Sequence, residues 1–236
     1  MQQINRSRHR HITSFQVISL GFLSVILLGS LLLMLPIATK SGQCTSFLDA
    51  LFTATSAVCV TGLVINDTAT YWSLFGQGVI LLLIQIGGMG IITIAIAISV
   101  VSGRKIGLMQ RSTMQEAISA PTVGGIVRRT QFIIRTTILI EIIGAVLLAP
   151  VFCRDFGFWK GIWYSLFHSI SAFCNAGFDL IGIRTPFSSL TSYSVQPIVN
   201  LVIMMLIIAG GIGFLTWEDI KLSLIHISEP TRLDVI

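Results

Sequence analysis

Long uncharged stretches constrain this chain more than any other feature. Phe15 to Ala38 carries no charged side chain, and neither do 68–103 or 185–217. A further apolar run, Gln131 to Phe152, contains one acid, Glu141. A helix needs about 20 apolar residues to cross the hydrocarbon core of a bilayer. Four spans of that size are available: Phe15–Ala38, Leu74–Val101, Gln131–Phe152, and a fourth most apolar from Val195 to Leu215. Composition agrees, since 11% of residues are charged and 53% hydrophobic, against about 25% charged in soluble domains. A soluble fold of this length would need a polar surface that the sequence does not supply. The expected fold is therefore an all-α integral membrane protein, with lipid as its main solvent.

Two shorter apolar pieces, Phe47–Val58 and Phe158–Phe173, lie between spans one and two and between spans three and four. Each is too short to cross and each runs into a glycine-containing turn, the pattern of a re-entrant segment. Irregular backbone at membrane depth is tolerated only where protein buries it or where it lines a watery cavity. The pair therefore points to a pore. Basic residues set the expected orientation. Arg6, Arg8 and Arg10 precede span one, and Arg104, Lys105, Arg111, Arg128 and Arg129 separate spans two and three. The opposite connections are mixed in sign. The positive-inside rule then puts the N-terminus in the cytoplasm. The first span lacks a small-residue cleavage site, so it reads as a helix rather than a removable signal. The expected divisions are a basic N-terminus at 1–14, a first helix–loop–helix unit at 15–103 and a basic cytoplasmic loop at 104–130. A second unit follows at 131–220 and an atypical tail at 221–236.

The two units match in order and spacing. Leu35-Pro36-Ile37 answers Ala149-Pro150-Val151, each read as closing its helix. Ser56-Ala57-Val58-Cys59-Val60-Thr61-Gly62-Leu63 answers Ser171-Ala172-Phe173-Cys174-Asn175-Ala176-Gly177-Phe178, and Gly87-Gly88-Met89-Gly90 answers Gly210-Gly211-Ile212-Gly213. Both begin on the same side, which makes the repeat a parallel one. A cation can exchange its water shell for backbone carbonyls contributed by several loops. Such a loop needs glycine where the backbone enters conformations barred to other residues. The candidate ligands are the carbonyls of Cys59, Val60, Thr61 and Gly62, and of Cys174, Asn175, Ala176 and Gly177. The short helices before them direct their negative ends at a bound cation.

At these residues the sequence resembles a known family. Phe47 to Ala57 followed by Val60-Thr61-Gly62-Leu63 resembles the first pore loop of the Trk/Ktr/HKT potassium transporters. Gln85-Ile86-Gly87-Gly88-Met89-Gly90 is similar to the start of that family's next helix, and Ser171 to Asp179 to its second loop. The likeness covers about 15–220 and is nearest to the bacterial Ktr-type membrane subunit. It implies four such units around a pseudo-fourfold axis and uptake of potassium, often sodium-dependent. It also implies a homodimer in the bacterial inner (plasma) membrane and a cytoplasmic nucleotide-binding regulatory subunit. On this footing the chain is expected to be a truncated N-terminal half, and the tail beyond Lys221 to be foreign to the family. The alternative function is a membrane fragment that conducts nothing.

Other polar residues admit two readings each. Asp67 and Asp179 follow the filters, as cation-concentrating acids at the pore mouth or as solvated loop residues. Glu141, an intramembrane acid, pairs structurally with Arg135 or a backbone donor, or else handles ions. The glycine clusters allow close helix packing or bending. His168 is expected to be hydrogen-bonded within its short helix, and Cys59 and Cys174 to pack behind the filter. Residues 104–129 mark topology or dock a regulator. The cysteines have neither CxxC spacing nor a secreted disulfide frame. No HExxH or GxSxG is present, so an enzyme is not expected. Apart from transported potassium or sodium, no cofactor or metal is expected, and the basic charge is assigned to topology rather than to nucleic acid.

Overall fold

The computed structural model describes residues 13–91, 93–94, 126–183, 185–213 and 216–217. The expectations for the basic N-terminus at 1–12, most of the central loop, the end of the second span and the tail lie outside these residues. Six α-helices are described: α1 (Ser14–Leu33), α2 (Phe47–Val58), α3 (Leu74–Met89), α4 (Ile126–Phe156), α5 (Phe158–Phe173) and α6 (Pro197–Gly211). Among the described residues the only extended pairing is an isolated bridge, Thr39 with Trp72.

Local chemistry explains most helix ends. Thr13 caps α1 reciprocally: its hydroxyl accepts from the Gln16 amide at 3.3 Å, and its own amide donates to Gln16 Oε1 at 3.1 Å. Ser46 and Ser73 accept from Asp49 and Gly76 at the starts of α2 and α3. Pro197 opens α6, where its missing N–H costs nothing. The glycine clusters end their helices, with φ of 81° at Gly90 and 89° at Gly213.

Two expectations need correction. Pro150 does not close the third span; it lies inside α4, which continues through Asp155 to Phe156. Proline removes one ladder hydrogen bond, and a membrane helix tolerates this when neighbouring protein packs around it. The helix also begins by Ile126, within the stretch expected to be loop.

The helices form two clusters in the same order. In the first, α2 packs against α1 and α3; in the second, α5 packs against α4 and α6, and α3 joins the clusters by packing on α5. Trp72, Leu33, Ile80 and Ile84 are fully buried in the first core. Phe152, Phe167, Leu148, Leu180 and His168 fill the second, where the Phe152 ring lies tilted 5.1 Å from the His168 ring and edge-on 5.4 Å from Tyr193. The outward faces carry Leu28, Leu82, Leu139, Val146 and Met205, all exposed, as a helix solvated by lipid requires.

Candidate functional site

Both short helices end in the same hydrogen-bonded cap. The Thr61 amide donates to the Ser56 carbonyl at 3.0 Å and the Val60 amide to Ala57 at 3.4 Å. After α5, the Ala176 amide donates to Ser171 at 2.7 Å and Asn175 to Ala172 at 3.0 Å. This paired pattern is a Schellman motif, which normally places glycine in the left-handed position. Here Val60 and Asn175 occupy it, each with φ of 57°. Asparagine adopts that conformation readily, whereas a β-branched valine there is strained. Side chains brace the turns: the Ser56 and Thr61 hydroxyls lie 2.8 Å apart, and Ser171 Oγ donates to the Phe178 carbonyl at 2.6 Å.

Two residues further on, Gly62 and Gly177 have φ of 71° and 73°. The loops meet here. A Cβ on Gly62 would lie 2.7 Å from the Ala176 carbonyl oxygen and 3.3 Å from the Gly177 Cα. The caps consume the amides of Val60, Thr61, Asn175 and Ala176. Among the described residues, none of the eight carbonyls of 59–62 and 174–177 accepts a protein hydrogen bond. Two loops thus present unused carbonyls side by side.

The glycine clusters pack directly behind these turns. A Cβ on Gly87 would fall on the Val58 carbonyl, and one on Gly210 on the Phe173 carbonyl. Gly88 faces Cys174, whose Sγ also approaches Gln85 Oε1 at 3.9 Å. Cys174 is buried behind its loop as expected of a packing residue, whereas Cys59 is exposed. His168 joins its helix to the following loop: Leu180 N–H donates to Nε2 at 3.3 Å, which leaves Nδ1 to donate to the Tyr164 carbonyl at 2.7 Å.

Glu141 and Asp67 differ from their expected settings. Glu141 is buried, and its partner is Gln85 rather than the exposed Arg135; Gln85 Nε2 donates to both carboxylate oxygens at 2.9 and 3.1 Å. The pair ties α4 to α3 just behind Cys174. Gln85→Leu strips the carboxylate of this donor, whereas Glu141→Gln keeps an acceptor for it. A buried polar group left unsatisfied costs about 1–3 kcal/mol, so chemical denaturation should find Gln85→Leu the less stable of the two.

Asp67 is turned inward rather than placed at a mouth. Oδ1 accepts from the Thr70 amide and hydroxyl, both at 2.8 Å, and Oδ2 from the Phe187 amide at 2.9 Å. It also packs against Gly182, so it clamps the loop after the first turn to the loop after the second. Asp67→Ala should lower stability by about 1–3 kcal/mol, read as a fall of several degrees in Tm in detergent; Asp67→Asn, which keeps one acceptor, should lose less. Asp179 is half-buried and accepts from the Ile181 amide at 2.9 Å. Burial pushes its carboxyl above the ordinary value; the Ile181 amide opposes this, and the nearby Asp67 charge adds to it.

Paired short helices, each ending in an open-carbonyl turn and packed among long apolar helices, define a helical membrane protein. The chain belongs to the TrkH family of cation transport proteins, which matches residues 3–228. It is similar to the potassium/sodium uptake protein NtpJ of Enterococcus hirae, with 44% identity over 89% of this chain and 46% of that protein. It is also similar to Ktr system potassium uptake protein B of Bacillus subtilis, with 46% identity over 87% of this chain and 44% of that protein. The Vibrio alginolyticus protein of the same name is 37% identical over 87% of this chain and 44% of its own length. The chain therefore spans under half the length of these relatives. They are transporters, not enzymes.

Proposed function

We propose that the chain contributes to potassium uptake across the bacterial inner membrane, as part of a pore whose ion ligands are the carbonyls of Cys59 to Gly62 and Cys174 to Gly177. The observation that carries this reading is the pair of abutting turns whose first amides are used in caps and whose carbonyls are free. Carbonyl rings of this kind replace an ion's hydration shell. The relatives' names supply the ion: potassium in all three, with sodium in one. Sodium acts in this reading as a coupling or competing ion. The basic residues on either side of the first two spans put the N-terminus in the cytoplasm, and the resemblance adds a homodimer and a nucleotide-binding regulatory subunit on that side. Asp179, beside the second turn, is the remaining acid placed to attract cations.

Growth of an uptake-deficient bacterium at low potassium tests the reading. The native chain should restore growth and Gly177→Arg should not, with equal amounts of both in the membrane. Equal growth of the two would remove Gly177 from the ion path. The second reading, a fragment that inserts but conducts nothing, draws on the chain's partial coverage of its relatives, and predicts no growth with either.

A further inference from the structure

Glu141 stands midway along α4, and the structure gives it little of what a buried charge requires. It is 4% exposed. Gln85 Nε2 donates to both of its oxygens, the bonding expected of an ionised carboxylate, which only accepts. Among the described residues no Lys, Arg or His side chain contacts it, and its side-chain partner is a neutral amide. Taking a carboxylate out of water costs far more than one hydrogen bond from a neutral donor returns. Acids held inside membrane spans are rare, and they mark ion pathways.

The carboxylate is also fixed with respect to the second turn. The Glu141 carbonyl accepts from Ser169 Oγ at 2.6 Å, which ties this point of α4 to α5 five residues before Cys174. Its side chain reaches the turn through Gln85. That amide directs Nε2 at the carboxylate and Oε1 at Cys174 Sγ, 3.9 Å away, so the negative end of the amide dipole faces the turn. Cys174 is the C-cap of α5 and the first candidate ligand there. Carboxylate, amide and helix C-terminus therefore add negative potential at one place.

Packing alone does not explain the acid. Counted from the matched prolines, the place of Glu141 in the first unit is Leu27. Counted from the matched glycine clusters, the place of Gln85 on α6 is Ile208. Apolar residues serve at these registers, so the acid and its partner are an addition to the repeat rather than a requirement of it.

We propose that Glu141 is a fixed negative charge behind the second turn, positioned by Gln85, and that its counter-charge is the monovalent cation held by the carbonyls of Cys174 to Gly177. The inference rests on the pore reading above and deepens it. Glu141 does not touch the ion; it sets how tightly the turn holds one. A fixed charge does not distinguish ions of equal charge, so the choice between potassium and sodium stays with the carbonyls.

Thermal unfolding of the purified chain in detergent at pH 8, over a series of potassium concentrations, tests this. N-methylglucamine keeps the ionic strength constant, so that screening does not change. A bound ion raises Tm with its concentration, and the concentration at which the rise begins reports affinity. Glu141→Gln keeps an acceptor for Gln85, so without potassium it should unfold like the native chain. Its rise should begin at about tenfold more potassium, since a unit charge acting across about 10 Å at an effective dielectric of about 20 is worth roughly that factor. The onset for sodium should move by the same factor. Glu141→Gln combined with Gln85→Glu returns one carboxylate and one amide to the pair, and should bring both onsets back near the native values. A Glu141→Gln chain with lowered Tm at every concentration and an unmoved onset would make the acid structural and overturn the inference. An onset that stays high in the double variant overturns it too, even where the single variant is too unstable to measure. A native chain whose Tm ignores both ions would overturn the pore reading, and the inference with it.

Discussion

Gly62→Ala is expected to cut potassium uptake roughly tenfold or more, equivalent to about 1.4 kcal/mol, while leaving the protein in the membrane. Two costs combine at this position. An alanine with φ near 71° carries a left-handed penalty of about 1–2 kcal/mol. Its methyl would also lie 2.7 Å from the Ala176 carbonyl oxygen, tighter than a carbon and an oxygen tolerate. The loop can relieve both only by rotating a peptide, which redirects the carbonyls proposed to hold the ion. The change should therefore fall on flux more than on stability. Uptake kinetics beside thermal unfolding separate the two, and normal uptake with a lowered Tm would assign Gly62 a structural role alone.

Gly87→Ala is expected to act the other way round, through the fold. Its Cβ would fall on the Val58 carbonyl at the end of α2, a backbone group that cannot move aside like a flexible side chain. Overpacking of this kind costs about 1–3 kcal/mol, occasionally more. At roughly 2–4 °C per kcal/mol for a chain of this size, Tm should drop by several degrees. Gly78 is the control on the same helix. A Cβ there would meet nothing within 4 Å, so Gly78→Ala should leave Tm unchanged or raise it slightly through helix propensity. Equal effects at the two positions would mean that α3 does not pack through Gly87.

The short helices were readable from sequence to the residue, because apolar runs of that length are bounded by sharp signals. Ser46 caps one start, and each run ends in a turn that carries glycine. Pro150 misled because a proline in sequence marks a stop, while neighbouring helices can carry a long membrane helix straight through it. The partner of Glu141 could not be found locally. Arg135 lies on the same helix, but Gln85 is 56 positions away and meets Glu141 only once α3 packs on the second unit. Asp67 is a stronger case, with its Phe187 partner 120 positions on. In the turns, glycine was the expected bearer of unusual backbone. Asn175 is a recognisable second bearer, but nothing in the identity of Val60 announces its positive φ; only the helix cap that it completes accounts for it.

Ion flux through the purified chain in liposomes tests the central claim most directly. Vesicles loaded with potassium and carrying the native chain should release potassium faster than empty vesicles, and Gly62→Arg should abolish the difference. Native protein that is inserted and monodisperse yet no leakier to potassium than bare lipid would contradict the claim that these carbonyls form an ion path.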